Sequence, residues 1–140
     1  MNLEKPKIGE PCNGCGLCCK LSICYTGSFL LGFHSEFGQE RIYKECPALL
    51  QKNDGRFTCG LLENPLKFLK KSKYRTEVLK KYIAISIGAG AGCDEILEDD
   101  TPEEAKKLDK MIAEKMQDED YKNLRLKALE MLYKFKYPNQ

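Results

Sequence analysis

The residues best equipped for chemistry are eight cysteines, seven of them within the first 59 positions: Cys12, Cys15, Cys18, Cys19, Cys24, Cys46 and Cys59, with Cys93 further on. Their densest run is Cys12-Asn-Gly-Cys15-Gly-Leu-Cys18-Cys19. A CxxC pair lets two thiolates meet one metal from a single tight turn. Asn13, Gly14 and Gly16 tolerate the left-handed backbone such a knuckle needs, which lets backbone N–H groups point at sulfur. CxxC alone also occurs in redox enzymes, but CxxCxxCC followed by further cysteines points to metal. Structural thiols behave as small hydrophobes and scatter along a core, whereas these are clustered.

A disulfide framework fits the composition less well. Eight cysteines in 140 residues fall below the roughly 8–10% of disulfide scaffolds. The N-terminus MNLEKPKIGEPC lacks an apolar signal region, which leads to the expectation of a cytoplasmic protein with reduced thiols. The chain is also long enough to bury a core without covalent staples.

Two metals suit the thiolates. Zinc takes four in a closed tetrahedral shell. A [4Fe–4S] cluster also takes four, with a bacterial signature of CxxCxxC plus a distant Cys-Pro. Cys12, Cys15 and Cys18 form such a triplet and Cys46-Pro47 supplies the fourth ligand, a match that goes beyond what zinc requires. Cys59, Cys93 and Cys19 are the next ligands expected, a second metal site being one possibility for them. Adjacent Cys18 and Cys19 are expected to point apart.

Around these residues the chain resembles a known family. CxxCGxCC, then Cys46-Pro47, then Asp54-Gly55-Arg56-Phe57-Thr58-Cys59 is similar to the YkgJ-like CxxCxxCC cysteine-cluster family of bacteria and archaea, described as a zinc- or iron-chelating domain. The resemblance covers roughly residues 12–94. It implies a metal-chelating fold with Cys12, Cys15, Cys18, Cys19, Cys46 and Cys59 at the matching positions. It assigns no activity. Many members carry a Tyr–Arg–Pro–Cys–Arg segment after the last of these, where this chain has Leu61-Leu62-Glu63-Asn64-Pro65. Cys93 would then fill that role from a distance, and Cys24 has no counterpart.

The elements that must position these thiols divide the chain in two. Residues 1–60 are rich in glycine and proline and read as irregular. They contain a short helix expected over 35–44 with Ser35 as N-cap. A hairpin is expected to join 48–50 to 56–59 through Asn53-Asp54-Gly55. From Asn64-Pro65 the pattern turns helical: Leu66, Leu69, Val78, Leu79, Tyr82 and Ile83 are spaced for helix, with a break near Ser72. Residues 84–92, AISIGAGAG, read as a closely packed loop that brings Cys93 in, since they lack the Gly-Lys-Ser/Thr ending of a phosphate loop. Thr101-Pro102-Glu103-Glu104 is a capping box opening a helix with Ala105, Leu108, Met111, Ile112 and Met116 on one face. A last helix over 120–136 aligns Tyr121, Leu124, Ala128, Leu132 and Phe135.

The expected fold is therefore mainly α: one domain over residues 1–140, with an irregular cysteine-rich metal-binding head (1–63 plus Cys93) packed on about four helices within 64–140. A head with few regular elements has few backbone bonds. Bound metal would supply the missing stability, because its binding free energy becomes folding free energy.

The remaining features narrow the function. The formal net charge is +2, far from the field of a dedicated nucleic-acid binder. Its longest apolar run, 83–87, is well short of the roughly 18 residues of a membrane span. Residues 64–81 carry seven basic groups against Glu77, and 94–104 carry seven acids with no base. Such runs usually form solvated faces, but they could face each other, or the basic segment could dock an acidic protein such as a redox partner. His34 is the only histidine and reads as a packed or exposed residue rather than a ligand. No paired-carboxylate or Ser–His–Asp arrangement stands out. Three readings follow: a metal-chelating protein with an electron-transfer or accessory redox role if the metal is iron, a zinc-stabilised interaction module, and a thiol-redox or metal-delivery protein using an exposed cysteine of low pKa.

Overall fold

The computed structural model describes residues 4–69, 76–97 and 100–138. Among them the chain is mainly α, with one two-stranded sheet. Its elements run α1 (Leu17–Leu21), α2 (Tyr25–Leu30), β1 (Leu49–Gln51), β2 (Phe57–Cys59), α3 (Gly60–Glu63), α4 (Pro65–Leu69), α5 (Thr76–Ile87), α6 (Pro102–Gln117) and α7 (Glu119–Lys136). No helix of the described residues is long and apolar enough to cross a membrane.

The core forms where α5 lies against α7. Ile83 of α5 and Leu132 of α7 are fully buried, with Leu79 and Phe135 beside them. Apolar side chains three and four apart make the stripe that each helix buries. The cysteine-bearing segment shares this core through Ile23, Phe29 and Leu61. Phe29 packs on Tyr133 with ring centroids 4.5 Å apart, and Thr26 and Ser86 exchange a buried hydrogen bond of 3.1 Å.

Two short helices occupy a region expected to be irregular, and the helix expected over 35–44 is absent. Segment 33–38 gives its hydrogen bonds to distant partners instead. The Phe37 amide donates to the Tyr133 hydroxyl at 2.8 Å, Tyr137 donates to the Ser35 carbonyl, and Lys136 donates to the carbonyls of Phe29 and His34. Gly38 then takes a left-handed φ of 84°, which ends any helical path.

The hairpin forms as expected, pairing Leu49 with Cys59, Leu50 with Thr58 and Gln51 with Phe57. Pro65 opens α4, and Thr101 caps α6 by accepting from the Glu104 amide at 3.3 Å. The second half of the capping box is diverted, because the Glu104 carboxylate accepts from the Ile8 amide at 2.7 Å. This ties the N-terminal loop to α6.

Residues 84–87 extend α5 rather than starting a loop, and Ala89 and Gly90 are exposed. The close approach falls at Gly92, where a Cβ would lie 2.6 Å from the Gly9 carbonyl oxygen. None of the residues of α6 is buried, and Leu124 of α7 is 52% exposed, so these apolar faces are less covered than their spacing suggests. The break near Ser72, and Lys70, Lys71, Lys73 and Arg75 of the basic run, lie outside the described residues.

Candidate metal centre

Four chain segments bring cysteines together. Gly16, at φ 75°, starts α1 and with it the pair Cys18 and Cys19. A Cβ at Gly16 would lie 2.7 Å from the Phe57 side chain, and the Phe57 amide donates to the Gly14 carbonyl at 2.7 Å. The motif loop is thereby seated on β2, which ends at Cys59. The strand-like pairing of Ile23 with Ile42 runs segment 42–46 along α1. It delivers Cys46, whose amide donates to the Cys19 carbonyl at 2.7 Å. Cys24 stands at the N-cap of α2.

The sulfurs of Cys18, Cys19, Cys24, Cys46 and Cys59 are near enough for the charge of one to disfavour charge on others. Cys24 and Cys46 face each other across Gly27. A Cβ there would be 3.4 Å from the Cys24 sulfur and 3.9 Å from that of Cys46. Cys24 is exposed as a residue, but its sulfur turns back to accept from the Gly27 amide at 3.3 Å.

Backbone amides pull three of these thiols down: those of Gly27 and Thr26 at Cys24, Ala48 and Leu49 at Cys46, and Leu62 and Leu61 at Cys59. Such donors favour the thiolate. At Cys24, Cys46 and Cys59 burial outweighs them and pushes the free thiols up, for Cys59 to about 11.

The Cys19 thiol beside it brings Cys18 down to about 7 against the opposing effects of burial, Glu95 and Asp94. The same pairing, then burial and the neighbouring Cys18, Cys59 and Cys46 charges, drives Cys19 well above the ordinary thiol range.

Cys93, Cys15 and Cys12 have further partners. Cys93 pairs by backbone with the N-terminal loop, through Gly9 N to Cys93 O and Cys93 N to Glu10 O, both 2.8 Å. Its thiol is raised by burial and feels the charge of Cys15, and Lys5 approaches it at 3.8 Å. Cys12 is exposed, with its sulfur accepting the Gly14 amide at 3.4 Å. All eight cysteines are free thiols. Among the described residues, no three or more His, Cys, Asp or Glu side chains are closed to metal-holding geometry.

His34 is exposed, its Nε2 2.8 Å from the Glu40 carbonyl oxygen. Within the acidic run, Glu95 meets Arg41 at 3.5 Å and Glu104 meets Lys107 at 3.2 Å, neither belonging to the basic segment 64–81. Arg41 also donates to Ser22 Oγ at 2.9 Å, at the C-cap of α1. Burial raises Glu95 despite Arg41.

Cys24 and Gly27 are the site features that the cysteine motif passes over. The available sequence signal was a fifth clustered cysteine followed, three residues on, by glycine. No family model, curated protein or solved structure matches the chain.

Proposed function

We propose that this chain is a metal-chelating cysteine-cluster protein that holds an iron–sulfur cluster or zinc through cysteine thiolates. The observation that carries the reading is the approach of Cys18, Cys19, Cys24, Cys46 and Cys59 from separate segments, near enough for the charge of one to bear on others. A soft donor set of this kind suits zinc and iron–sulfur clusters, not hard cations. Gly27 lies between two of the sulfurs, its ideal Cβ position 3.4 Å from Cys24 and 3.9 Å from Cys46. In this reading residues 1–63 with Cys93 form the metal-binding head, and about four helices support it as one domain in the cytoplasm. Bound iron–sulfur would give the chain an electron-transfer or accessory redox role, with the basic segment 64–81 meeting an acidic redox partner. The likeness to the CxxCxxCC family agrees with this reading.

A second reading is a zinc-stabilised interaction module. It is favoured by α6, which buries no residue and exposes Ile112 and Met116. A hollow of about 390 Å³ on α7, lined by Leu126, Leu129, Glu130, Tyr133 and Lys134, adds to that face.

Anaerobic purification with absorbance at roughly 400 nm and metal analysis separates the two. A brown protein with iron and sulfide supports the first form. A colourless protein with stoichiometric zinc and no iron supports the module. A chain that takes up neither overturns metal chelation.

A further inference from the structure

We infer that the exposed apolar stripe of α7 docks a second copy of this chain, the two helices packing antiparallel about a two-fold axis at Lys127–Ala128. The inference does not depend on the metal-chelating reading.

α7 is apolar on two faces. Ala128, Leu132 and Phe135 are buried, and Leu132 and Phe135 join the core shared with α5. Leu126, Leu129 and Tyr133 fall three and four residues apart on a different face, at about 100° per residue. With Glu130 and Lys134 they line a hollow of about 390 Å³. One end of this face is covered from within the chain. Tyr133 packs on Phe29, and its hydroxyl takes the Phe37 amide. The other end carries Leu126, 61% exposed among the described residues. A helix with two apolar faces buries both only when it has a neighbour on each.

Charge identifies the neighbour. Asp120, Lys127, Glu130 and Lys134 are exposed and follow one another along one edge of the stripe, alternating acid, base, acid, base. In an antiparallel pair this edge meets the same edge of the other helix, run in the opposite direction. With the axis at Lys127–Ala128, Leu126 packs on Leu129 of the second copy, and Leu129 on Leu126 of the second copy. Glu130 then comes within a turn of Lys127 of the second copy, and Asp120 within a turn of Lys134 of the second copy. The two-fold axis repeats each pair, so one sequence supplies both halves of the contact. The acids in the first turn of α7, Glu119 and Asp120, thereby lie toward the bases of its last turn, Lys134 and Lys136. α7 has 18 residues and is about 27 Å long. A contact through one helix belongs to the small, weak class of interfaces below about 1,200 Å², and dissociation on the order of 10 µM is expected.

The test is sedimentation equilibrium of the full-length chain, kept reduced because Cys12, Cys18 and Cys24 are exposed thiols that oxidation would cross-link. Wild type is expected to pass from monomer to dimer between about 1 and 100 µM, the range around that constant. Leu126→Glu is expected to stay monomeric throughout with an unchanged circular dichroism spectrum, because Leu126 lies outside the core of the single chain. Glu130→Lys alone, or Lys127→Glu alone, sets like charges across the axis and should weaken the dimer about fivefold, and the double exchange should restore it to within about twofold. A chain that stays monomeric up to about 100 µM overturns the inference. A dimer that Leu126→Glu leaves intact also overturns it, because the contact then lies elsewhere. A double exchange that fails to restore the dimer overturns the antiparallel pairing. Should Leu126→Glu unfold the chain, the charge exchange decides alone, since it alters only exposed side chains. A photoreactive benzoylphenylalanine in place of Leu126 is expected to link two chains, whereas linkage only within one chain shows the stripe covered from within and overturns the docking.

Discussion

The thiols of Cys18 and Cys19, immediate neighbours in sequence, act on each other so that Cys18 is lowered and Cys19 raised. Two cysteines that look equivalent in the motif are therefore chemically unlike. Cys18 is brought down to about 7, and Cys19 is pushed above the ordinary thiol range.

This asymmetry predicts reactivity in the metal-free chain. Exposed Cys18 is expected to react with iodoacetamide along a thiolate titration centred near pH 7, its value being about 7. In Cys19→Ala the curve moves up toward the ordinary thiol range of about 8.5, and the rate at pH 7 falls roughly tenfold. A rate unaffected by Cys19→Ala removes Cys19 from the account.

Stability at alkaline pH follows from Cys59, whose folded value of about 11 lies above the ordinary 9.0. The folded chain holds this proton more tightly than the unfolded chain does. The associated stability is complete below about pH 9 and is lost as pH rises toward 11. Denaturant midpoints of the reduced, metal-free chain should fall across that window, and Cys59→Ala should flatten the fall. Metal reverses the sign. The loaded protein should lose stability as pH drops, because protons compete for the thiolates.

Glu104 gives a separate acid-side effect. The Ile8 amide holds its carboxyl below the usual 4.5, so its contribution is present above that value and is lost as pH falls through the lower folded one. Glu104→Gln should speed hydrogen exchange at the Ile8 amide at pH 7 and leave exchange in α5 unchanged. Unchanged exchange at Ile8 would mean the clamp does not hold the N-terminal loop.

Gly16→Ala should cost about 1–3 kcal/mol through its left-handed φ, and more through the clash with Phe57. Because the motif loop sits on β2 at this point, metal affinity should fall too, although no ligand is changed. Circular dichroism melts and cobalt titration on the same variant check both effects.

The helical support predicts a contrast along α7. Leu132 is 1% exposed and its truncation to Ala should cost about 2–5 kcal/mol. Leu126 is 61% exposed and its truncation should stay within about 0.5 kcal/mol. Urea midpoints of the two variants would show whether α7 buries the face described here.

Much was legible in the chain as written. Local chemistry identified the hairpin, because Asn53-Asp54-Gly55 suits a tight turn. Local chemistry likewise identified the start of α6 at Thr101-Pro102 and the left-handed glycines of the cysteine loop, Gly14 at φ 80° and Gly16 at φ 75°. Helical spacing located Ile83, Ala128, Leu132 and Phe135 on buried faces, while Leu124 at the edge of the same stripe stayed in solvent. The abundance and clustering of thiols made metal chemistry the expectation from residue type alone. Tertiary structure decided the rest. The 35–44 segment is not helical because Tyr133 takes the Phe37 amide from 96 residues away. Spacing along a motif shows which sulfurs can share one turn. It does not show which sulfurs meet when segment 42–46 folds back on α1, when the hairpin ends at Cys59, and when α2 begins at Cys24. Those meetings depend on backbone hydrogen bonds and core contacts between residues far apart in the chain.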